Sequence, residues 1–260
     1  MSDYFTDYES ELYDAVVPDW PGEIAWYLEL AAEAAAQGGA VLELACGTGR
    51  VALRLARRGG RVVGLEVAPA MLKIARAKSA GLDNVRWVDG DMRSFDLGEQ
   101  FALVIIPGHS FQFMLTPADQ LVCLETIKRH LVPGGRLVVH LDHQSFEWLA
   151  SLKERRGAFK PTEDMIHPGS GNRLHTERSW RFEPSTQTAT VVTVREERDE
   201  AGQVIGRWET APKALHCVFR FEMEHLLARA GLTVEALYGD FLRQPLHDDS
   251  PEMIWVARTP

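Results

Sequence analysis

The stretch VLELACGTGRVALRLARRGG, Val41–Gly60, passes from an aliphatic run through a glycine pair into a helical pattern that closes on two glycines. Apolar run, tight loop and helix in that order open a β–loop–α unit. Gly47-Thr48-Gly49-Arg50-Val51-Ala52 also satisfies G-x-G-x-x-G/A, a pattern that brings a ligand close to backbone N–H groups at a helix N-terminus. The loop alone does not distinguish a pyrophosphate from a cofactor that has none. Its neighbours must decide.

Outward from the loop, short β-branched or aliphatic runs recur at Val41–Leu44, Arg61–Leu65, Val85–Val88, Leu103–Ile106 and Leu137–Leu141. Such runs suit strands buried on both faces of a parallel sheet. Helical patterns at Val51–Arg57, Pro69–Lys78 and Pro117–His130 separate them. The last opens on Thr116-Pro117-Ala118-Asp119, a capping hydroxyl with proline in the first turn, and is expected to stop at a turn, Pro133-Gly134-Gly135. This alternation predicts right-handed crossovers and an α/β, doubly wound, mostly parallel sheet. After Ser145 the rhythm changes. Residues 172–219 read as long strands broken by turn signals, which predicts an inserted antiparallel sheet within one domain spanning 1–260. A helix over Phe221–Ala230 and strands at Thr233–Tyr238 and Met253–Ala257 follow, and residues 1–40 form an aromatic, helical lid segment.

Composition narrows the function classes. A net charge of −9 over 260 residues does not favour a protein that neutralises phosphates, so no nucleic-acid partner is expected. The acidic N-terminus lacks a signal pattern, and the longest apolar run, Phe101–Ile106, is far too short for a bilayer. Cys46, Cys123 and Cys217 lie far apart without zinc or redox spacing. Reduced thiols in a cytoplasmic protein, with no membrane partner, are the expectation.

Three acidic positions extend the glycine loop. Glu43 gives the spacing E-x-x-x-G-x-G, and Glu66 ends the next strand, where a carboxylate accepts both hydroxyls of a ribose. Asp89-Gly90-Asp91-Met92 follows the third strand, where an acid takes an adenine amino group. A nicotinamide oxidoreductase accounts for Gly47–Ala52 and Glu66 but leaves DGDM and the PGG segment unexplained. Gly108-His109-Ser110-Phe111-Gln112 lacks the last glycine of a hydrolase elbow.

Taken together, VLELACGTGR, VVGLEVAPAMLKIAR, DGDMRSF and LVPGGRLVV resemble the successive motifs of class I S-adenosylmethionine-dependent methyltransferases. Among these, the amino-sugar N-methyltransferases and their relatives have a comparable antiparallel insert. The resemblance implies a seven-stranded Rossmann-like sheet and S-adenosyl-L-methionine as cofactor. It implies that Glu43, Ala45, Gly47 and Gly49 line the methionine and ribose part, that Glu66 binds the ribose diol, that Asp91 and Met92 hold adenine and that Val67 packs on its ring. Two departures stand out: Ala68 replaces a capping serine before Pro69, and Glu66 replaces the commoner aspartate.

Ligands of a parallel sheet gather at the C-terminal strand ends, which selects His109, Asp142 and His143 as candidate proton acceptors. His140 reads as a buried structural residue, and no metal site is expected because Asp142 with His143 is too few ligands. Of the N-terminal aromatics Tyr4, Tyr8, Tyr13, Trp20, Trp26 and Tyr27, Tyr13 is expected over the cofactor as part of a lid. The implied activity is N- or O-methylation of a small polar metabolite. The alternative is a cofactor-binding protein with a regulatory or assembly role and no turnover. Val191, Val192 and Val194 suggest an apolar face on the insert and a possible homodimer.

Overall fold

A computed structural model describes residues 6–155, 157–162 and 164–260, so Tyr4 lies outside the described residues. The chain divides into two compact units, Met1–His143 with Val218–Pro260, and Gln144–Cys217.

The first unit is a seven-stranded sheet. Its strands are β1 (Val41–Leu44), β2 (Val62–Glu66), β3 (Val85–Asp89), β4 (Phe101–Ile106), β5 (Leu131–Asp142), β12 (Thr233–Tyr238) and β13 (Glu252–Arg258). The spatial order is β12-β13-β5-β4-β1-β2-β3. β1 to β5 pair in parallel, whereas β13 runs antiparallel to both β5 and β12. The order reverses between β1 and β4, the place where an open α/β sheet leaves a crevice.

Every residue of β1 and β2 is buried, as their unbroken apolar runs require. Neighbouring residues of one strand feed opposite faces. Leu42, Val104 and Val139 join one core layer with α5 (Pro117–Arg129) and α7 (Arg220–Ala230). Val41, Ile105 and Val138 join the other with α2 (Glu23–Ala36) and α3 (Ala52–Arg57). Trp26 and Tyr27 belong to this second layer, so they are core residues rather than a lid. α4 (Pro69–Lys78) starts without a side-chain cap at Ala68, and Glu66 instead accepts the Ala68 and Val67 N–H groups at 2.9 Å each.

One boundary differs in kind. The segment Pro133-Gly134-Gly135 is not a turn ahead of a strand but an irregularity inside β5, which starts at Leu131. Phe101 pairs with Leu131 and Leu103 with Arg136, so the extra residues loop out of register. The backbone stays paired there because Gly134 N–H donates to the Pro260 carbonyl and Thr259 N–H to that of Gly135.

In the second unit, helix α6 (Phe146–Arg155) and the short strands β6 (Phe159–Pro161) and β7 (Met165–Ile166) precede β8 (Arg173–Glu183) and β9 (Thr188–Arg198). β8 and β9 pair along their whole length, and β10 (Val204–Glu209) and β11 (Lys213–His216) share the far edge of β9. Trp148 of α6 packs edge-on against Trp180 of β8, with centroids 5.3 Å apart. Val191 and Val194 are buried within the single chain and Val192 is half-buried. Those three positions therefore do not form an open apolar face.

Candidate active site

At the C-terminal ends of β1, β2 and β4 lies a cavity of about 330 Å³. Its walls come from Ala45 and Gly47 after β1, Glu66 and Val67 at the end of β2, Met92 after β3, and Gly108 with His109 after β4. The N-terminal segment closes it with Tyr13 and Trp20. That segment begins with α1 (Asp7–Val16), capped by Thr6. Ion pairs tie it to the glycine loop: Arg50 grips Glu23 at 2.6 and 2.7 Å and Asp19 at 2.8 Å. Thr48 donates to Asp14 at 2.6 Å, and Lys78 pairs with the same carboxylate. Arg50 also lies over the Trp20 ring, 5.4 Å from its centroid.

Backbone strain concentrates on this wall. Only four non-glycine residues among those described have positive φ, and two of them, Ala45 (53°) and His109 (63°), line the cavity. An L residue in that region costs roughly 1–2 kcal/mol, so the packing around these turns must hold them there.

The two loop glycines serve different ends. Gly47 (φ 55°) borders the cavity, where an added Cβ would stand 3.8 Å from the Tyr13 ring. Gly49 (φ 80°) does not border it. A Cβ there would meet Trp87 at 2.7 Å and Leu53 at 3.1 Å, so this glycine lets helix and strand approach.

Glu66 accepts the Gly47 N–H at 2.9 Å besides the two amides of the α4 turn. Burial pushes its carboxyl above the ordinary range, and those three N–H groups work against the shift. Glu43 sits behind the loop, outside the cavity wall, 2% exposed. Burial raises its carboxyl to about 8, although Arg50 opposes this, and its Oε2 has no hydrogen-bond partner among the described residues. Asp91 is turned to Arg93, with bonds of 2.7 to 3.1 Å to the guanidinium, which outweigh burial and lower its carboxyl. It borders a small adjoining cavity that shares Ala45, Glu66, Val67 and Met92 with the larger one.

Of the three candidate proton acceptors, only His109 borders the cavity. His143 donates from Nδ1 to the Ser250 carbonyl at 2.8 Å, and the Asp142 backbone N–H donates to Gln112 at 3.1 Å. His109 is joined by two residues that the sequence reading left out of the site. Glu252, the first residue of β13, lies 2.7 Å from His109 Nε2 and 2.8 Å from His140 Nε2, and the two ring nitrogens are 3.1 Å apart. Hydrogen bonds from both rings outweigh burial and hold Glu252 at about 2, while burial lowers His140 to about 4. The pair at pH 7 is therefore a carboxylate beside a neutral imidazole. Trp20 meets both rings edge-on, with centroids 5.3 Å from His109 and 4.8 Å from His140. A faint signal for Glu252 existed: an acid directly before the apolar strand MIWVA stands at a strand end.

Residues 41–135 match the family model described as a methyltransferase domain. A dTDP-4-amino-2,3,4,6-tetradeoxy-D-glucose N,N-dimethyltransferase of Saccharopolyspora spinosa is 30% identical over 142 residues, 53% of this chain and 56% of the relative. The chain spans about half the length of the curated relatives it matches. Structural likeness reaches further. The CcbJ methyltransferase of Streptomyces caelestis superposes with a TM-score of 0.75 at 26% identity, over 96% of this chain and 95% of that one. CalS10, an amino pentose methyltransferase of Micromonospora echinaspora solved with S-adenosylmethionine bound, gives 0.72 at 26% identity over 99% and 98%. That complex supports S-adenosyl-L-methionine as the cofactor of this fold.

Proposed function

We propose that this chain, a class I methyltransferase by its fold and its residues 41–135, is an S-adenosylmethionine-dependent enzyme that methylates a small polar acceptor. An amine is the favoured acceptor, as on the amino sugars named in two of the relatives above, and a hydroxyl group uses the same machinery. One observation carries the reading: His109, backed by a carboxylate, opens onto the same cavity as Glu66 and Gly47.

The residues present suit the cofactor. Glu43 keeps a buried, orphaned Oε2 behind the loop, which suits a cationic or hydrogen-bond-donating ligand nearby. The missing Cβ of Gly47 leaves room in front of Tyr13. Glu66 retains acceptor capacity beyond its three amide bonds, which suits a ribose diol. Met92 and Val67 supply an apolar wall for a purine, with Asp91 and its Arg93 partner at the edge. When bound, S-adenosylmethionine supplies an already electrophilic methyl carbon. What remains for the protein is alignment, exclusion of water and removal of the acceptor's proton. Alignment alone contributes up to about 7–11 kcal/mol in well-oriented systems. His109 accepts the proton, and Trp20 and Tyr13 shield the cavity from solvent.

Titration calorimetry with S-adenosylmethionine and S-adenosylhomocysteine tests the first step, and mass spectrometry of amino-sugar nucleotides incubated with the chain tests the second. His109→Gln is expected to lower kcat/KM roughly a hundredfold with cofactor affinity kept. Undetectable binding of either cofactor form overturns the proposal.

A further inference from the structure

Three ligand-type atoms, His109 Nε2, His140 Nε2 and Glu252 Oε2, lie within 3.1 Å of one another. Such spacing matches neighbouring ligands on one face of an octahedral ion, where two histidines and a carboxylate are a familiar set. Proton positions separate that reading from another. The Gly108 backbone N–H lies 3.2 Å from His140 Nδ1 and can only donate, so Nδ1 carries the lone pair and the ring proton sits on Nε2. Metal-bound histidines show the reverse polarity, donating from the nitrogen that does not bind the ion. In His140 the nitrogen facing the cluster is a donor, and Glu252 is its acceptor.

The same logic fixes His109. A carboxylate oxygen at 2.7 Å opposes a bare nitrogen lone pair, so Nε2 of His109 also carries a proton and donates it to Glu252. Neutral His109 then keeps its lone pair on Nδ1, which has no hydrogen-bond partner among the described residues. Its ring lines the cavity and is about a quarter exposed, whereas His140 is fully buried. The left-handed turn at Gly108 and His109, both with φ of 63°, holds one residue as donor to His140 and the next as partner of Glu252.

We propose that Glu252 and His140 are positioning residues that lock His109 as its Nε2–H tautomer, making Nδ1 the atom that takes the acceptor's proton. This rests on the methyl-transfer reading of the cavity. In the step, the acceptor's N–H or O–H bond breaks and its proton moves to Nδ1. The electron pair of that bond stays on the acceptor atom, while a pair from that atom forms the bond to the methyl carbon and the carbon's former bonding pair leaves with sulfur. The resulting imidazolium faces the Glu252 carboxylate. His140 makes that carboxylate a poorer proton acceptor, because its Nε2–H donates to Oε2 and stabilises the anion. Other charges bear on the ring's protonation. Tyr13 of α1 and Glu66 of β2 line the same cavity, and the charge of Arg50 reaches His140.

Nitrogen-15 spectra of the histidine rings in the full chain, without cofactor or acceptor, read the tautomers directly. We expect neutral His109 and His140 both as Nε2–H, with His140 still neutral at pH 5. In Glu252→Gln, the His109 ring should take up its second proton at a pH at least one unit lower. The rising limb of kcat/KM should move the same way, and kcat should fall about a hundredfold with KM changed less than threefold. Glu252→Asp should recover part of the rate. An Nδ1–H tautomer at His109, or unchanged protonation in Glu252→Gln, overturns the proposal. So does an Nδ1–H signal at His140 that shifts on adding one equivalent of zinc, the mark of a metal site. The wild-type tautomer needs no variant to fold. Failure to bind S-adenosylmethionine would sink the function while leaving the tautomer result standing.

Discussion

Glu43 places a carboxyl group where burial favours its uncharged form: its titration is raised to about 8, against an unfolded value near 4.5. The folded chain therefore binds a proton that the unfolded chain has released between those values. Stability of the ligand-free protein is highest below about pH 4.5 on this account and declines as pH rises to 8. A cationic ligand reverses the preference, because the anion then has a partner. Affinity for S-adenosylmethionine should rise about tenfold per pH unit toward pH 8 and level off above it, with one proton released on binding at pH 7. Calorimetry in buffers of different ionisation enthalpy measures that proton, and Glu43→Gln should abolish its release. A flat pH dependence would show that Glu43, behind the loop, does not sense the bound cation. Local pattern announced this acid by its spacing to Gly47. It did not announce that Asp91 would be claimed by Arg93 two residues away, or that His143 would donate to Ser250. Those partners depend on through-space packing, which periodicity does not encode.

Elements were legible where one physical cause dominates. Buried aliphatic runs marked β1 and the Thr116–Pro117 cap marked α5, whose end at Arg129 leaves His130 as the C-cap. The glycines were harder to read, since a glycine makes room either for a ligand or for the protein itself. Gly47 borders the cavity, whereas Gly49 makes room for Trp87 and Leu53. Gly49→Ala combines a disfavoured φ with a clash on Trp87, so it should destabilise the chain by about 2–4 kcal/mol in urea titration. In whatever fraction remains folded, cofactor affinity should stay within about threefold, since Gly49 does not border the cavity. An affinity loss without a stability loss would reassign the residue to the site. The segment at Pro133–Gly135 was legible as an irregularity but not as one enclosed by a strand. The residues that keep it paired, Thr259 and Pro260, lie more than a hundred positions away.

On the scale of the whole molecule, the change of rhythm after Ser145 corresponds to a change of compact unit, since Gln144–Cys217 clusters by itself. The cavity is lined entirely by the other unit. A ligand held there at a hundred times its Kd stabilises that unit by about 2.7 kcal/mol. Amide exchange should therefore slow about a hundredfold in the core of β1, β4 and β5 on saturation with S-adenosylhomocysteine, and far less in β8 and β9. Equal slowing in all five strands, followed by mass spectrometry, would show that both units open as one.

Strand direction, finally, bears on when the site comes into being. Because β13 runs antiparallel, it brings its first residue, Glu252, to the edge where the parallel strands bring their last. It also wedges between β5 and β12, which precede it in the chain. A ribosome delivers both histidines well before the carboxylate that restrains them. Throughout that interval the nascent sheet has a gap beside β5 into which a strand has yet to fit. A fragment stalled before residue 252 would hold the glycine loop and Glu66, and His109 without its counter-charge. Binding and proton transfer would then mature at separate moments in the life of the chain.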